Sequence, residues 1–281
     1  MIEQTNIFEG FPDLIKYSDT RWTKERAKLE EDGFFILNSF FDKELIDQTM
    51  ERLNLINQRQ IDEIGGVENM RMMKEENIIR VPFLYDDFFL KFFTNQTLLE
   101  IIKSVFCDEF ILLVQNALIN EPEKSHNAVK WHKDLPYQHF SSKQPICLNA
   151  LIALTDFSPK TGSTCFVKGS HQIVEAPSDE EISSNLYQVE APAGSVIIFN
   201  SLTLHKMGHN SSGKSRYAIN HIFGTPVFKP HFNFRGMLNG KYENDPVVSK
   251  LLDYHYSIPE SVVSYRKRRL EKFNNSHGAV K

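Results

Sequence analysis

Hydrophobic and polar positions in the first third of the chain follow helical spacing, interrupted by one short apolar run. Residues 21–32 are charged and helix-prone, and Gly33 follows them where a left-handed C-cap costs little, so a helix ending there is predicted. The apolar run at 34–37 predicts a strand. Residues 43–60 predict a second helix, capped by Asp42, whose apolar stripe lies against a sheet and consists of Leu45, Ile46, Met50, Leu53 and Ile56.

From residue 110 the pattern changes to short apolar segments separated by turn residues. The segments read FILLVQNALI, PICLNALIALTDF, TCFVKGS, GSVIIFN and RYAINHIFGT. Such a series is typical of an antiparallel sandwich or barrel. We therefore expect one domain over 1–281, with a helical N-terminal part at about 1–105, a β core at about 110–230 and a helical C-terminal tail at about 245–273.

Composition narrows the class of protein. The 281 residues carry a net charge of −4, which argues against a nucleic-acid binder. The three cysteines are widely spaced and form no CxxC pair, so a disulfide framework and a zinc knuckle are both disfavoured. With no signal peptide and no apolar stretch of membrane-spanning length, we expect a soluble cytoplasmic protein with a small-molecule substrate; the oligomeric state stays open.

The sharpest local motif is Trp131-His132-Lys133-Asp134. In extended backbone, residues two apart project to the same side, so His132 and Asp134 can reach one ion while Lys133 points away. A single His-x-Asp pair is weak by itself, because chance alone produces such pairs at this composition. Its value depends on a third ligand elsewhere in the chain.

Residues 195–223 offer a third ligand and an anion-binding group. We expect a hairpin here, with His205 and Arg216 at facing ends of neighbouring strands. Along the second strand Arg216 shares a face with Ala218 and Asn220, and an inward guanidinium is costly unless it binds an anion. Two His and one carboxylate on a metal leave positions open, as in non-haem Fe(II) oxygenases, and Arg216 could hold the far carboxylate of a 2-keto diacid.

The chain resembles the phytanoyl-CoA dioxygenase family of Fe(II)/2-oxoglutarate oxygenases over about residues 25–225. The resembling segments are, in order, EEDGFFILNSFFDKEL, ALINEP, WHKDLPY, ALTDFSPKTGSTCFVKGSH and GSVIIFNSLTLH with Arg216 behind it. The resemblance implies a mainly β fold with flanking helices around a double-stranded β-helix, that is, a jelly-roll or cupin-like core.

The resemblance also implies roles for single residues. His132, Asp134 and His205 would be the iron ligands, Arg216 would bind the 2-oxoglutarate carboxylate, and Gln115 would help to hold that co-substrate. His209 competes with His205, but His205 has the family spacing to Arg216. Candidate substrate contacts are Tyr137, Asn149 and Lys133. The family often has Gly-Ser-Gly after the distal His, whereas this chain has Lys206-Met207-Gly208, which removes a hydroxyl from the expected co-substrate site.

The predicted function is therefore an Fe(II)/2-oxoglutarate-dependent dioxygenase. With 2-oxoglutarate and O2 it would hydroxylate an unactivated C–H bond of a small metabolite, or of an acyl, sugar or natural-product intermediate, and release succinate and CO2. Retention of Asp134 argues against the halogenating relatives. Two alternatives stay open: a non-catalytic jelly-roll module that binds metabolites, and a cupin-like metal isomerase or lyase that does not need Arg216.

Overall fold

A computed structural model of the chain describes residues 21–106, 109–123, 130–135, 142, 144–254, 258–259 and 261–277. The predicted residue Tyr137 lies outside these ranges. Within them, the helices are α1 (Thr23–Asp32), α2 (Lys43–Glu63), α3 (Val67–Met73), α4 (Leu90–Phe93), α5 (Gln96–Phe106), α6 (Asp179–Ser184), α7 (Phe234–Met237), α8 (Val248–Leu251) and α9 (Val262–His277). The strands are β1 (Phe34–Leu37), β2 (Ile78–Arg80), β3 (Ile111–Asn120), β4 (Cys147–Ala153), β5 (Thr164–Val167), β6 (Leu186–Gln188), β7 (Val196–Asn200), β8 (His205–Met207) and β9 (Arg216–Gly224).

The two predicted front helices form for the predicted reasons. Helix α1 ends at Gly33, whose φ of +89° is the left-handed conformation that glycine adopts at low cost. Helix α2 begins after Asp42, whose side chain accepts the Leu45 N–H at 2.8 Å. Helix α2 runs three residues beyond the predicted end at residue 60, to Glu63.

The strands form two antiparallel sheets. The larger sheet has the order β1-β7-β4-β9-β3-β2, and the smaller has the order β6-β5-β8. This mostly antiparallel arrangement with flanking helices confirms the predicted fold class, and in the described residues it is a jelly-roll core without a closed barrel. Strands β3 to β9 fall inside the predicted core range, while the single-domain organisation stays a prediction.

Two apolar clusters cover the two faces of the larger sheet. The larger cluster lies between this sheet and helices α2, α4 and α5, and it is rich in phenylalanine, with Phe83, Phe89, Phe92 and Phe93 fully buried. The smaller cluster lies between the two sheets, where Phe166 of β5 contacts Phe34 and Phe199 with ring centroids 4.5 and 5.0 Å apart. The sheets are therefore held together on one side by aromatic packing, and the site lies beside that packing.

The predicted hairpin between His205 and Arg216 is wrong. The apolar strand β7 ends at Asn200, and His205 begins β8, which pairs with β5 in the smaller sheet. Arg216 begins β9, which pairs with β3 and β4 in the larger sheet. The chain therefore crosses from one sheet to the other between the two residues, and they approach each other across the space between the sheets.

Candidate metal centre and its cavity

Three predicted ligands converge at one point. The ligand atoms of His132, Asp134 and His205 all lie within 4.8 Å of one another, and the Nε2 atom of each histidine is 3.7 Å from Asp134 Oδ1. The backbones of His132 and His205 join the two segments, because each donates its N–H to the carbonyl of the other at 3.0 and 2.9 Å. The Asp134 N–H adds a bond to the Ser201 carbonyl at 3.0 Å.

Both imidazoles are oriented by their far nitrogen. His132 Nδ1 lies 2.8 Å from the Lys130 carbonyl, and His205 Nδ1 lies 2.9 Å from the Thr203 carbonyl. Each Nδ1 therefore carries the proton, and each Nε2 presents a lone pair toward Asp134. Burial lowers the pKa of His205, which favours the neutral imidazole that a metal ion requires.

Asn149 holds the carboxylate. Its amide nitrogen donates to Asp134 Oδ2 at 2.5 Å, and its amide oxygen accepts the Ser201 hydroxyl at 2.6 Å. Asn149 is fully buried in β4, so it orients Asp134 from behind. Both polar ends of the amide are therefore bonded inside the protein, while the substrate contact predicted for Asn149 stays a prediction.

Lys133 also faces away from the site. Its ammonium donates to the carbonyls of Ser170 and Ile173 at 3.2 and 2.8 Å. Because adjacent residues of an extended segment point to opposite sides, Lys133 ties its segment to the 170–173 turn while its two neighbours face the cavity. The structure does not support the predicted substrate contact of Lys133.

A cavity of about 350 Å³ contains the three ligands and Arg216. Its wall is apolar along much of its length and polar at a few points, as ligand pockets usually are. The lining residues outside the triad are Ile78, Arg80, Val114, Asn116, Leu118, Leu151, Thr164, Phe199, Lys206, Met207, Arg216, Asn220, Ile222 and His231.

Arg216 is buried in this cavity without a counter-ion among the described residues. It is 2% exposed, its guanidinium lies 4.5 Å from the centre of the Phe157 ring, and its Nε has no hydrogen-bond partner there. Burial lowers its pKa to about 10, so the group is still charged near neutral pH. A buried charge with an unused donor fits an anion that comes from outside the protein.

Gln115 does not reach the cavity. Side chains alternate along β3, so Val114, Asn116 and Leu118 line the cavity while Gln115 faces the helical side. There its amide nitrogen bonds the Phe89 carbonyl and His221 Nε2 at 3.1 and 2.8 Å. The co-substrate contact predicted for Gln115 is thus not supported, and Asn116 is the amide that this strand offers.

His209, Cys147 and Cys165 lie outside the cluster of metal-ligand candidates. His209 is exposed and pairs with Glu123 at 3.2 Å, outside the ligand cluster. Cys147 and Cys165 are buried free thiols, and burial raises the pKa of Cys147 to about 12. Met207 occupies the position where the family often has serine, and Thr164, its register partner on β5, lines the same cavity.

The chain belongs to the phytanoyl-CoA dioxygenase family. The sequence profile of that family, described as Phytanoyl-CoA dioxygenase (PhyH), matches residues 29–218. The uncharacterized protein Rv1501 of Mycobacterium tuberculosis is 31% identical over 209 residues, which is 72% of this chain and 75% of the relative. Membership makes the protein an oxygenase-type enzyme, and iron with 2-oxoglutarate is the cofactor set expected of it.

Solved structures share the fold. The epimerase SnoN, solved in complex with Fe3+, alpha ketoglutarate and nogalamycin RO, aligns with a TM-score of 0.58 at 17% identity, covering 75% of this chain and 88% of SnoN. HygX from Streptomyces hygroscopicus, solved with nickel and 2-oxoglutarate, aligns with a TM-score of 0.55 at 15% identity, covering 74% and 88%. At this identity the likeness concerns the fold alone. Among the described residues, no helix is both long and apolar enough to cross a membrane.

Proposed function

We propose that the protein is an Fe(II)- and 2-oxoglutarate-dependent dioxygenase that hydroxylates an unactivated C–H bond of a small metabolite. One oxygen atom of O2 would enter the product alcohol and the other would enter succinate, with CO2 leaving from the co-substrate. Bound iron would supply the O2 chemistry that amino-acid side chains cannot provide. The observation that carries this proposal is the unpartnered guanidinium of Arg216 in the same cavity as the three ligands.

The residues present fit the metal. Two neutral imidazole nitrogens and one carboxylate oxygen form the donor set of non-haem Fe(II) oxygenases, which leaves other positions for co-substrate and O2. His132, Asp134 and His205 would hold the ion, and the carbonyls of Lys130 and Thr203 fix the two rings. Asn149 keeps Asp134 turned toward the histidines.

The co-substrate 2-oxoglutarate fits the end of the cavity at which Arg216 lies. Arg216 would bind the distal carboxylate of 2-oxoglutarate with two N–H groups, which is the geometry that a guanidinium and a carboxylate share. Leu118 and Leu151 supply apolar wall to the same cavity, which would limit the access of water to the pair. A metabolite-binding module without catalysis would have no need for both a tied triad and this buried charge.

Succinate formation tests the proposal. We expect the iron-loaded protein to convert 2-oxoglutarate to succinate under air, with faster conversion when a pool of small metabolites contains the substrate. His205→Ala should abolish the conversion, while His209→Ala, which removes a nearby exposed imidazole outside the triad, should keep it. Product analysis by mass spectrometry distinguishes hydroxylation, which adds one oxygen atom, from an epimerisation, which leaves the mass unchanged.

Either of two results would contradict the dioxygenase proposal. If the iron-loaded wild-type protein forms no succinate with any metabolite pool, or if His205→Ala matches wild type, the dioxygenase proposal is wrong. Product formation without consumption of 2-oxoglutarate would instead support the metal isomerase or lyase alternative.

A further inference from the structure

Besides Arg216 and Lys206, a third cationic side chain, Arg80, lines the cavity, on the side away from Arg216. Arg80 ends β2 and lines the cavity together with Asn116 of β3 and His231. In the register of the larger sheet Arg80 lies beside Asn116, whereas Arg216 lies beside Asn120. The two arginines are thus four residues apart along β3, about 13 Å at ~3.3 Å per residue.

Arg80 is held in place by its neighbours. Its Nε donates to Glu75 Oε2 at 2.8 Å, and its Nη2 donates to Glu75 Oε1. Its Nη1 lies 3.0 Å from the Asn116 amide, and we assign the oxygen to that position because this orientation satisfies both groups. Its backbone N–H and carbonyl both bond the side chain of Gln60. Three of the five guanidinium N–H groups are used in these bonds, which leaves one N–H on each Nη for a ligand.

The pairing of the strands also places Arg80 close to the metal centre. Arg80, Asn116 and Asn220 form one row across three neighbouring strands, and all three line the cavity. The Asn220 amide oxygen accepts from Asn149, the residue that orients Asp134, at 3.3 Å. A molecule bound to Arg80 would therefore lie beside the triad, on the side that the 2-oxoglutarate carboxylate does not occupy.

His231 completes this end of the cavity. Its backbone N–H donates to the Leu113 carbonyl at 2.9 Å, which places it over the first residues of β3 at the rim. Partial burial and the nearby charge of Arg80 both lower its pKa, so its neutral ring can donate or accept a hydrogen bond near neutral pH.

The chemistry of this end selects an anion of low charge with an apolar body. The Arg80–Glu75 ion pair leaves no surplus charge for a dianion such as phosphate, and the selection of a carboxylate rests on geometry, because its two oxygens match the two free N–H groups of Arg80. Ile78, Val114 and Ile222 line the wall nearby and offer contacts only to hydrocarbon. The remaining volume suits a short ligand, because about 350 Å³ must also hold the co-substrate.

We propose that Arg80, with Asn116 and His231 beside it, binds the carboxylate of the primary substrate, and that this substrate is a short aliphatic monocarboxylic acid bound at the same time as 2-oxoglutarate. The inference rests on the proposed function. It assigns to the enzyme a substrate class and an anchor at the end of the cavity opposite Arg216.

Calorimetric binding to the zinc-loaded, 2-oxoglutarate-saturated protein tests this inference without turnover. The probes are butyrate, hexanoate, hexanamide and inorganic phosphate. We expect the best of the two carboxylates to bind at least about tenfold more tightly than hexanamide and phosphate, as for a charge-assisted hydrogen-bonded pair. Arg80→Gln should remove that preference. Arg71→Gln is the matched control, because Arg71 is an exposed arginine paired with Glu68 and Glu76 outside the cavity.

The outcomes separate this inference from the proposed function. If 2-oxoglutarate binds the zinc-loaded protein but neither carboxylate is preferred over hexanamide, or Arg80→Gln keeps the preference, the Arg80 inference is wrong and the dioxygenase proposal stands. Tighter binding of phosphate, or displacement of 2-oxoglutarate by the carboxylates, would also overturn the inference. If 2-oxoglutarate itself does not bind, the proposed function is wrong.

Discussion

Arg216 and Arg80, which both line the cavity, differ in their exposure to solvent and in their contact partners. Arg216 is 2% exposed and has only the Phe157 ring against its guanidinium, whereas Arg80 is partly exposed and held by Glu75 and Asn116. A buried charge without a partner raises the free energy of the folded protein until an anion arrives, while a paired charge at a rim gains less from one. The Arg216 end therefore needs an anion to offset its buried charge, whereas the Arg80 end can select among ligands without depending on one.

The largest effect should come from removing the centre between the two ends. We expect Asp134→Ala to abolish succinate formation and to weaken iron binding, because Asp134 contributes the carboxylate of the donor set. Both are measured on purified protein by succinate assay and by metal titration. An Asp134→Ala protein that still formed succinate at the wild-type rate would refute the assignment of Asp134 as a metal ligand.

The next largest effect should be confined to the Arg216 end. Loss of one partner from a buried ion pair costs about 3–5 kcal/mol, so Arg216→Met should weaken 2-oxoglutarate binding by roughly 150- to 4,000-fold. Arg80→Met should change 2-oxoglutarate binding by less than about threefold, since Arg80 lies at the other end. Calorimetry on the zinc-loaded variants measures both, and equal losses in the two would contradict the division of the cavity.

Asn149 tests whether a hydrogen bond from outside the ligand set orients the metal ligand Asp134. Removal of an outer hydrogen-bond partner typically lowers metal affinity by about 10- to 100-fold, and we expect this of Asn149→Ala. Ser201→Ala should have a smaller effect of the same kind, because it removes only the support of the Asn149 amide oxygen. A merely structural role would lower the melting temperature while leaving the metal dissociation constant of the folded protein unchanged.

The smallest effect concerns Thr164, the hydroxyl across from Met207. If this hydroxyl takes the place of the missing serine, Thr164→Val should weaken 2-oxoglutarate binding by about two- to tenfold, the value of one neutral hydrogen bond. Binding of the carboxylate probes at the Arg80 end should not change. Unaltered 2-oxoglutarate affinity in Thr164→Val would show that Met207 leaves the hydrogen bond unreplaced.

Sequence patterns predicted the parts of the site that short-range geometry determines. His132 and Asp134 lie two apart in an extended segment, and the alternation of β9 places Arg216 and Asn220 on the cavity face. The two capped helices could be predicted for the same reason, because Asp42 and Gly33 act on their own neighbours in the chain. These features depend on local backbone conformation, for which short sequence patterns are sufficient.

Features that depend on the pairing of distant strands could not be predicted from short sequence patterns. Strand β3 is buried on both faces along most of its length, so polarity alone could not tell whether Gln115 or Asn116 faces the cavity. Strands β2 and β8 have three residues each, too few for an alternation pattern, so Arg80 was missed and the hairpin at His205 was wrongly predicted. The one available signal for Arg80 was a charged residue at the end of an apolar run, Ile78-Ile79-Arg80.

Anaerobic titration of the purified protein with Fe(II) and 2-oxoglutarate tests whether the triad and Arg216 act together, and it needs no substrate. We expect a weak visible charge-transfer band that saturates at one equivalent of each, is absent in His205→Ala and requires far more 2-oxoglutarate in Arg216→Met. If the wild-type protein binds iron but develops no such band at saturating 2-oxoglutarate, the assignment of the triad and Arg216 is wrong.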